Sequence, residues 1–166
     1  AEGIALIKHA NALNMLIDVS HMNEKAFWDT ARHSSSPLVA THSNAHTLCP
    51  QPRNLTDRQL LAIRDSGGVA GVNFGNAFLR ADGKRDSDTP LSTIVRHIDY
   101  LINIMGDDHV ALGSDFDGIT LPDDLHDVSG LPRLISALRD SGYDQFVLNK
   151  LLWGNWQKVL QNVWQQ

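Results

Sequence analysis

The sequence predicts an α/β protein built on a parallel sheet, and three observations carry that prediction. Apolar runs of the buried-strand type occur at residues 15–21, 37–42, 69–74 and 109–115. A segment of helical periodicity separates each run from the next. The composition, 42% hydrophobic and 20% charged over 166 residues, is that of one ordinary globular domain.

The elements follow in order. Ile4, Leu6, Ile7, Ala10 and Leu13 repeat at helical spacing and lead into the first strand, Met15 to His21. Asn23 can cap a helix whose apolar face includes Ala26, Phe27, Thr30 and Ala31, and Pro37 then opens the second strand, which ends at His42. After a loop rich in Pro, Asn and Thr, Thr56 and Gln59 have capping-box spacing for a helix through Leu60, Leu61 and Ile63 that stops at Gly67 and Gly68. The third strand is Val69 to Phe74. Thr89 reads as a cap with Pro90 at the first helical position, opening a helix through Ile94, Ile98, Leu101 and Ile104 that ends at Gly106. The fourth strand runs from His109 to Asp115, and residues 131–138 and 146–163 read as helices, the second broken at Gly154 and Asn155. No internal repeat or low-complexity segment interrupts the chain.

Strands alternating with helices fit either a β/α barrel or a doubly wound sheet. A complete eight-stranded barrel takes about 250 residues, so either the sheet is open or half of a barrel is present. The net charge of -5 and pI near 5.8 offer no basic field for nucleic acid or anionic lipid. Cys49 is the single cysteine, so no internal disulfide is expected and a reducing cytoplasm is permitted. Residues 1–12 lack a signal-peptide pattern, and no apolar run reaches the roughly 20 residues that span a bilayer.

The chemistry gathers where three of the strands end: His21, His42 and Asp115. In parallel β/α proteins the carboxyl ends of the strands converge on the ligand-binding face, so residues distant in sequence meet there. Two imidazoles and a carboxylate suit hydrolytic zinc chemistry, imidazole as ligand and carboxylate as proton acceptor. A lone histidine is more often structural, which is the reading for His9, His33, His97 and His109. His46 and His126 lie in loops near the same face and are candidate supporting groups, while Asp117 reads as a turn former. Arg53, in the proline-containing loop after the second strand, is either a solvent-facing charge or a guanidinium aimed at a carboxylate.

Leu16-Ile17-Asp18-Val19-Ser20-His21-Met22, Thr41-His42-Ser43-Asn44-Ala45, Arg53-Asn54-Leu55-Thr56-Asp57, Gly113-Ser114-Asp115-Phe116-Asp117-Gly118 and Gly154-Asn155-Trp156 together resemble, in order and spacing, the renal (membrane) dipeptidase family. The resemblance implies the C-terminal half of a (β/α)8 TIM barrel of the metal-dependent hydrolase type, with residues 1–166 forming a single partial domain. It implies zinc-dependent hydrolysis of dipeptides, with His21 and His42 as ligands of one of two zinc ions, Asp115 as the acid/base group and Arg53 holding the substrate's free carboxylate. Asn73 and Phe78 follow the third strand, where family members line the substrate pocket. The family's His-x-Asp pair on the first barrel strand and its bridging glutamate have no counterpart here, so at most one zinc is expected. A partner is therefore expected too, either a second copy of the chain or a complementing N-terminal half. The competing readings are a noncatalytic half-barrel and another amidohydrolase, such as a deacylase or lactonase.

Overall fold

In the computed structural model, which describes residues 2–164, α1 (Glu2–Ala12) leads into β1 (Ile17–Asp18). α2 (Glu24–His33) follows, then β2 (Leu38–Ala40), α3 (Asp57–Asp65) and β3 (Val69–Asn73). The short α4 (Asn76–Leu79) precedes α5 (Leu91–Met105) and β4 (Val110–Ser114). The chain closes with α6 (Leu131–Asp140), α7 (Gln145–Asn149) and α8 (Asn155–Trp164), the last two joined through a π-helical turn at Lys150–Gly154.

Among the described residues the strands form one parallel sheet of four in the order β1-β2-β3-β4. A doubly wound sheet reverses its order at a switch point, whereas this succession steps one way, as the strands of a barrel do. The half-barrel alternative is therefore the one realised.

Local chemistry accounts for the element boundaries. Asn23 Oδ1 accepts from the Ala26 N–H at 2.9 Å, capping α2 as its sequence predicts. At α3, Gln59 Oε1 accepts from the Thr56 N–H at 2.9 Å, one half of a capping box. At α5 the expected cap shifts by one residue. Pro90, extended at φ -69 and ψ 147, is the cap itself, and the Thr89 hydroxyl donates instead to the Asp86 carbonyl at 2.6 Å. The expected first strand contracts to Ile17–Asp18, because Asp18 Oδ1 accepts from the Ser20 N–H and Met22 N–H returns to Val19, turning the chain off the ladder. The expected break at Gly154 and Asn155 is a π-helical turn. α4, too short to show a period, has no counterpart in the sequence reading.

Alternate strand residues face opposite sides. Leu38, Ala40, Ala70, Val72 and Val110 pack outward against Phe27, Leu60, Ile94, Ile98, Leu101 and Leu138 from the helices. On the inner face Val39, Val69 and Ala111 pack against Val159 of α8, with Leu16 and Trp156 beside them. Asn155 of α8 donates to the carbonyls of Asp107 and Val110, and Trp156 Nε1 donates to Leu112 O at 3.0 Å, which covers part of the exposed β4 edge.

Nearer the carboxyl ends the inner face is bare backbone. A Cβ at Gly71 or at Gly113 would stand 2.1 Å from the Thr41 carbonyl oxygen, so only glycine admits the crossing of the chain that leaves β2. The Ser43 N–H donates to Gly71 O at 2.8 Å and holds that crossing in place.

Candidate functional site

His21, His42 and Asp115 do not terminate strands as expected, but lie one to three residues beyond them, since the strands end at Asp18, Ala40 and Ser114. His21 has φ +68 and Asp115 φ +71, both in the left-handed region that non-glycine residues seldom adopt. Such backbone costs about 1 kcal/mol per residue and persists where the surroundings impose it, typically at functional sites.

The two imidazoles converge. His21 Nε2 and His42 Nε2 are 2.9 Å apart, with ring centroids at 5.0 Å. Behind His42, its Nδ1 lies 2.6 Å from Thr41 Oγ1, which in turn lies 2.5 Å from Asp18 Oδ2. Burial lowers the His42 pKa below its ordinary value; the nearby Asp115 opposes this and Arg53 adds to it. His42 is thus neutral at neutral pH, the state a metal ligand requires. Burial raises the Asp18 pKa, but the hydrogen bonds from Thr41 and Ser20 outweigh it, so the group sits below the usual carboxylate range.

Asn73 ends β3 opposite Ser114, after a register shift between Val72 and Asn73, and its Nδ2 donates to Asp115 Oδ2 at 2.8 Å. Arg53 faces inward rather than to solvent. Its Nη2 donates to the His42 carbonyl at 3.3 Å, and its guanidinium stands 5.6 Å from the Phe78 ring centroid. Burial lowers its pKa, against the pull of Asp115 and Asp18. Buried asparagines hold this loop: Asn54 Nδ2 donates to Cys49 O and Phe78 O, each at 2.9 Å, and Asn44 pairs with the Asn73 backbone through both its amide atoms.

His21, Phe78 and Asp115 open onto a cleft of about 550 Å³ that is also lined by Arg85, Asp117, Ile119 and Thr120. Asn73 is buried behind the cleft and reaches it only through Asp115. Arg85 and Thr120 come from polar loops and carried no signal in the sequence. Asp18 and Thr41 did carry one, an acid inside an apolar run and a hydroxyl beside a site histidine, yet no role followed from either alone. His126 pairs with Asp127 at the surface, and His46 does not line the cleft. His97 and His109 are structural, bonded to Leu79 O and Gly68 O.

Among the described residues no group of three or more His, Cys, Asp and Glu side chains converges as a complete metal site. His21 Nε2 and His42 Nε2 face each other at 2.9 Å, two nitrogens where a tight zinc site takes three or four protein ligands.

A family model described as membrane dipeptidase, peptidase family M19, matches residues 1–166. The chain belongs to the membrane dipeptidase family. Solved structures of this family share its fold. The dipeptidase AC, a metallopeptidase of family M19, superposes with a TM-score of 0.97 at 49% identity, over 99% of this chain and 48% of that one. A metallopeptidase from Rhodobacter sphaeroides, liganded with a phosphinate mimic of the dipeptide L-Ala-D-Ala, superposes with a TM-score of 0.96 at 50% identity, over 98% of this chain and 46% of that one. A Klebsiella pneumoniae protein described as "uncharacterized protein in pqqA 5′ region" is 83% identical over all 166 residues. The chain spans 61% of that relative and about half of the two solved membrane dipeptidase structures. The four parallel strands with their flanking helices accordingly represent part of a TIM-barrel-type metallohydrolase fold.

Proposed function

We propose that this chain supplies the substrate-carboxylate and proton-transfer side of a zinc-dependent dipeptidase site, together with two of its metal ligands. The convergence of His21 and His42 beside Asp115 and Arg53 carries this reading. The dipeptide mimic bound to the R. sphaeroides relative supports dipeptides as the substrate class. Zinc held by the two Nε2 atoms and by further ligands from outside the described residues would supply Lewis acidity, activating water and polarising the scissile carbonyl.

The chain's own residues divide the remaining work. Arg53, half-buried and pressed on Phe78, offers its unused guanidinium N–H groups to a free carboxylate, which restricts substrates to short peptides. Asp115 takes the proton of the attacking water and returns it to the leaving amine, held in orientation by the Asn73 amide. Phe78 and Ile119 give the cleft apolar walls that limit water around the transfer.

A partner-dependent half-barrel is the second reading, and a specific observation favours it. Among the described residues β1 and β4 each pair on one side only, and Leu6, Leu13, Met15, Trp153 and Trp164 are exposed. A second copy or a complementing N-terminal half would cover these groups and complete the ligand set.

The test is hydrolysis of a dipeptide panel by the 166-residue chain with added zinc, beside His21→Ala and with N-acyl amino acids and lactones as rival substrates. Dipeptide cleavage that disappears in the variant supports the assignment. A folded, zinc-binding but inactive chain that gains activity with an N-terminal half supports the partner-dependent form. Preferential cleavage of an N-acyl amino acid or a lactone overturns the dipeptidase reading.

A further inference from the structure

We propose that Asp18 and Thr41 act as positioning residues that lock His42 in its Nδ1–H tautomer, so that Nε2 presents a lone pair before any metal arrives. The metal-positioning part of this role rests on the reading of His42 as a ligand; the tautomer assignment does not.

The argument follows single protons. Asp18 Oδ1 accepts from the Ser20 N–H at 2.9 Å and from the Thr41 N–H at 3.0 Å, and Oδ2 lies 2.5 Å from Thr41 Oγ1. A carboxylate engaged by these donors is ionised and can only accept. The Thr41 hydroxyl proton is therefore committed to Asp18, and the hydroxyl oxygen is left with acceptor capacity alone. His42 Nδ1, 2.6 Å from that oxygen, must be the donor. In a neutral imidazole the other nitrogen, Nε2, is then unprotonated. Carboxylates commonly orient metal-binding histidines by direct contact; here a hydroxyl stands between. The His42 N–H also donates to Ser20 Oγ at 3.2 Å, so main chain and ring are tied to the same turn after β1.

The consequence is an asymmetric pair. With His42 Nε2 as acceptor, His21 Nε2 at 2.9 Å is the donor of the pair. Among the described residues no partner engages His21 Nδ1, so nothing opposes transfer of its proton there when Nε2 is needed as a ligand. His42 is preset, and His21 adapts.

The test is an imidazole ¹⁵N–¹H correlation spectrum of the metal-free 166-residue chain at neutral pH, with zinc affinity measured by chelator competition. Wild type and Thr41→Ser are expected to show His42 protonated on Nδ1. Thr41→Val is expected to show a major Nε2–H population at His42 and zinc binding weaker by about 10- to 100-fold. A wild-type His42 protonated on Nε2 overturns the relay, as does a Thr41→Val protein that keeps both the tautomer and the affinity. If Thr41→Val fails to fold, Asp18→Asn with Thr41→Ser as its folded reference reads the same two quantities. A wild-type chain with the expected tautomer whose zinc affinity, measured with a complementing N-terminal half present, is unchanged by His42→Ala upholds the relay and overturns the ligand reading, so the two failures are distinguishable.

Discussion

His21 Nε2 and His42 Nε2 lie 2.9 Å apart across a sequence separation of 21 residues, and β1 pairs with β2 at that same offset, Ile17 opposite Leu38 and Asp18 opposite Val39. The histidines are thus register partners beyond the ends of their strands. Parallel pairing transmits register along both chains. The fold brings the rings together even though neither residue belongs to the ladder.

Truncation of Arg53 tests the carboxylate clamp. Arg53→Ala removes charge-assisted hydrogen bonds worth about 1.5–3 kcal/mol, so kcat/KM for dipeptides should fall about 10- to 100-fold, mainly through KM. Steady-state kinetics on the active zinc-loaded assembly provide the check. An unchanged KM would remove the clamp from the site.

Asp115 and its amide partner should separate in kinetics. Asp115→Asn keeps a side chain that tolerates φ +71 but accepts no proton, so kcat should drop about 10²- to 10⁴-fold with little loss of folding stability. Asn73→Ala leaves the acid present but loses the 2.8 Å bond that orients it, so a smaller fall in kcat is expected. Equal losses in the two variants would contradict the division of roles.

His97 predicts a pH-dependent stability. It is fully buried, its Nδ1 accepts from the Ala45 N–H and its Nε2–H donates to Leu79 O. Burial pushes its pKa down to about 4, against the raising effect of the Leu79 carbonyl. The stability linked to neutral His97 is fully present above the unfolded value near 6.5 and is lost as pH falls toward 4. Urea unfolding should show a gap of roughly 3 kcal/mol between pH 7 and pH 4 that shrinks in His97→Gln. A gap of the same size in the variant would assign it to other groups.

Gly71→Ala and Gly113→Ala should each destabilise the fold by about 2 kcal/mol or more, because the new methyl would meet the Thr41 carbonyl at 2.1 Å. The Thr41 backbone must move to relieve the clash, which displaces His42, so zinc affinity should fall with stability. Denaturant midpoints and chelator competition on the same samples test the pairing. A variant that unfolds more easily yet binds zinc normally would show that the crossing is not what places His42.

Much of the architecture was legible because it depends on local physics. The alternation of apolar runs with helical periods gave the parallel sheet, and Asn23, the Thr56 and Gln59 pair and Gly106 marked helix boundaries by capping and turn chemistry that acts within a few residues. The cap at α5 was misplaced by one residue because the Thr89 hydroxyl was drawn to Asp86, a competition between two local bonds that spacing alone cannot rank. The approximate place of His21, His42 and Asp115 was also legible, since carboxyl ends of parallel strands share one rim.

What the sequence by itself determined is therefore the order of elements, the parallel class and the residue types at one end of the sheet. Tertiary structure alone decided the rest. It chose the one-way strand order over a doubly wound one and carried the Thr41 carbonyl across Gly71 and Gly113. It turned Arg53 inward onto Phe78, and it joined Asp18 to the Thr41 hydroxyl that lies beside the neighbouring His42 ring. The physical reason is range. Helix caps and hydrophobic periods are fixed by neighbours along the chain, whereas the side-chain proton relay behind His42 and the asparagine bonds around Arg53 depend on contacts that exist only once separate strands have been brought side by side.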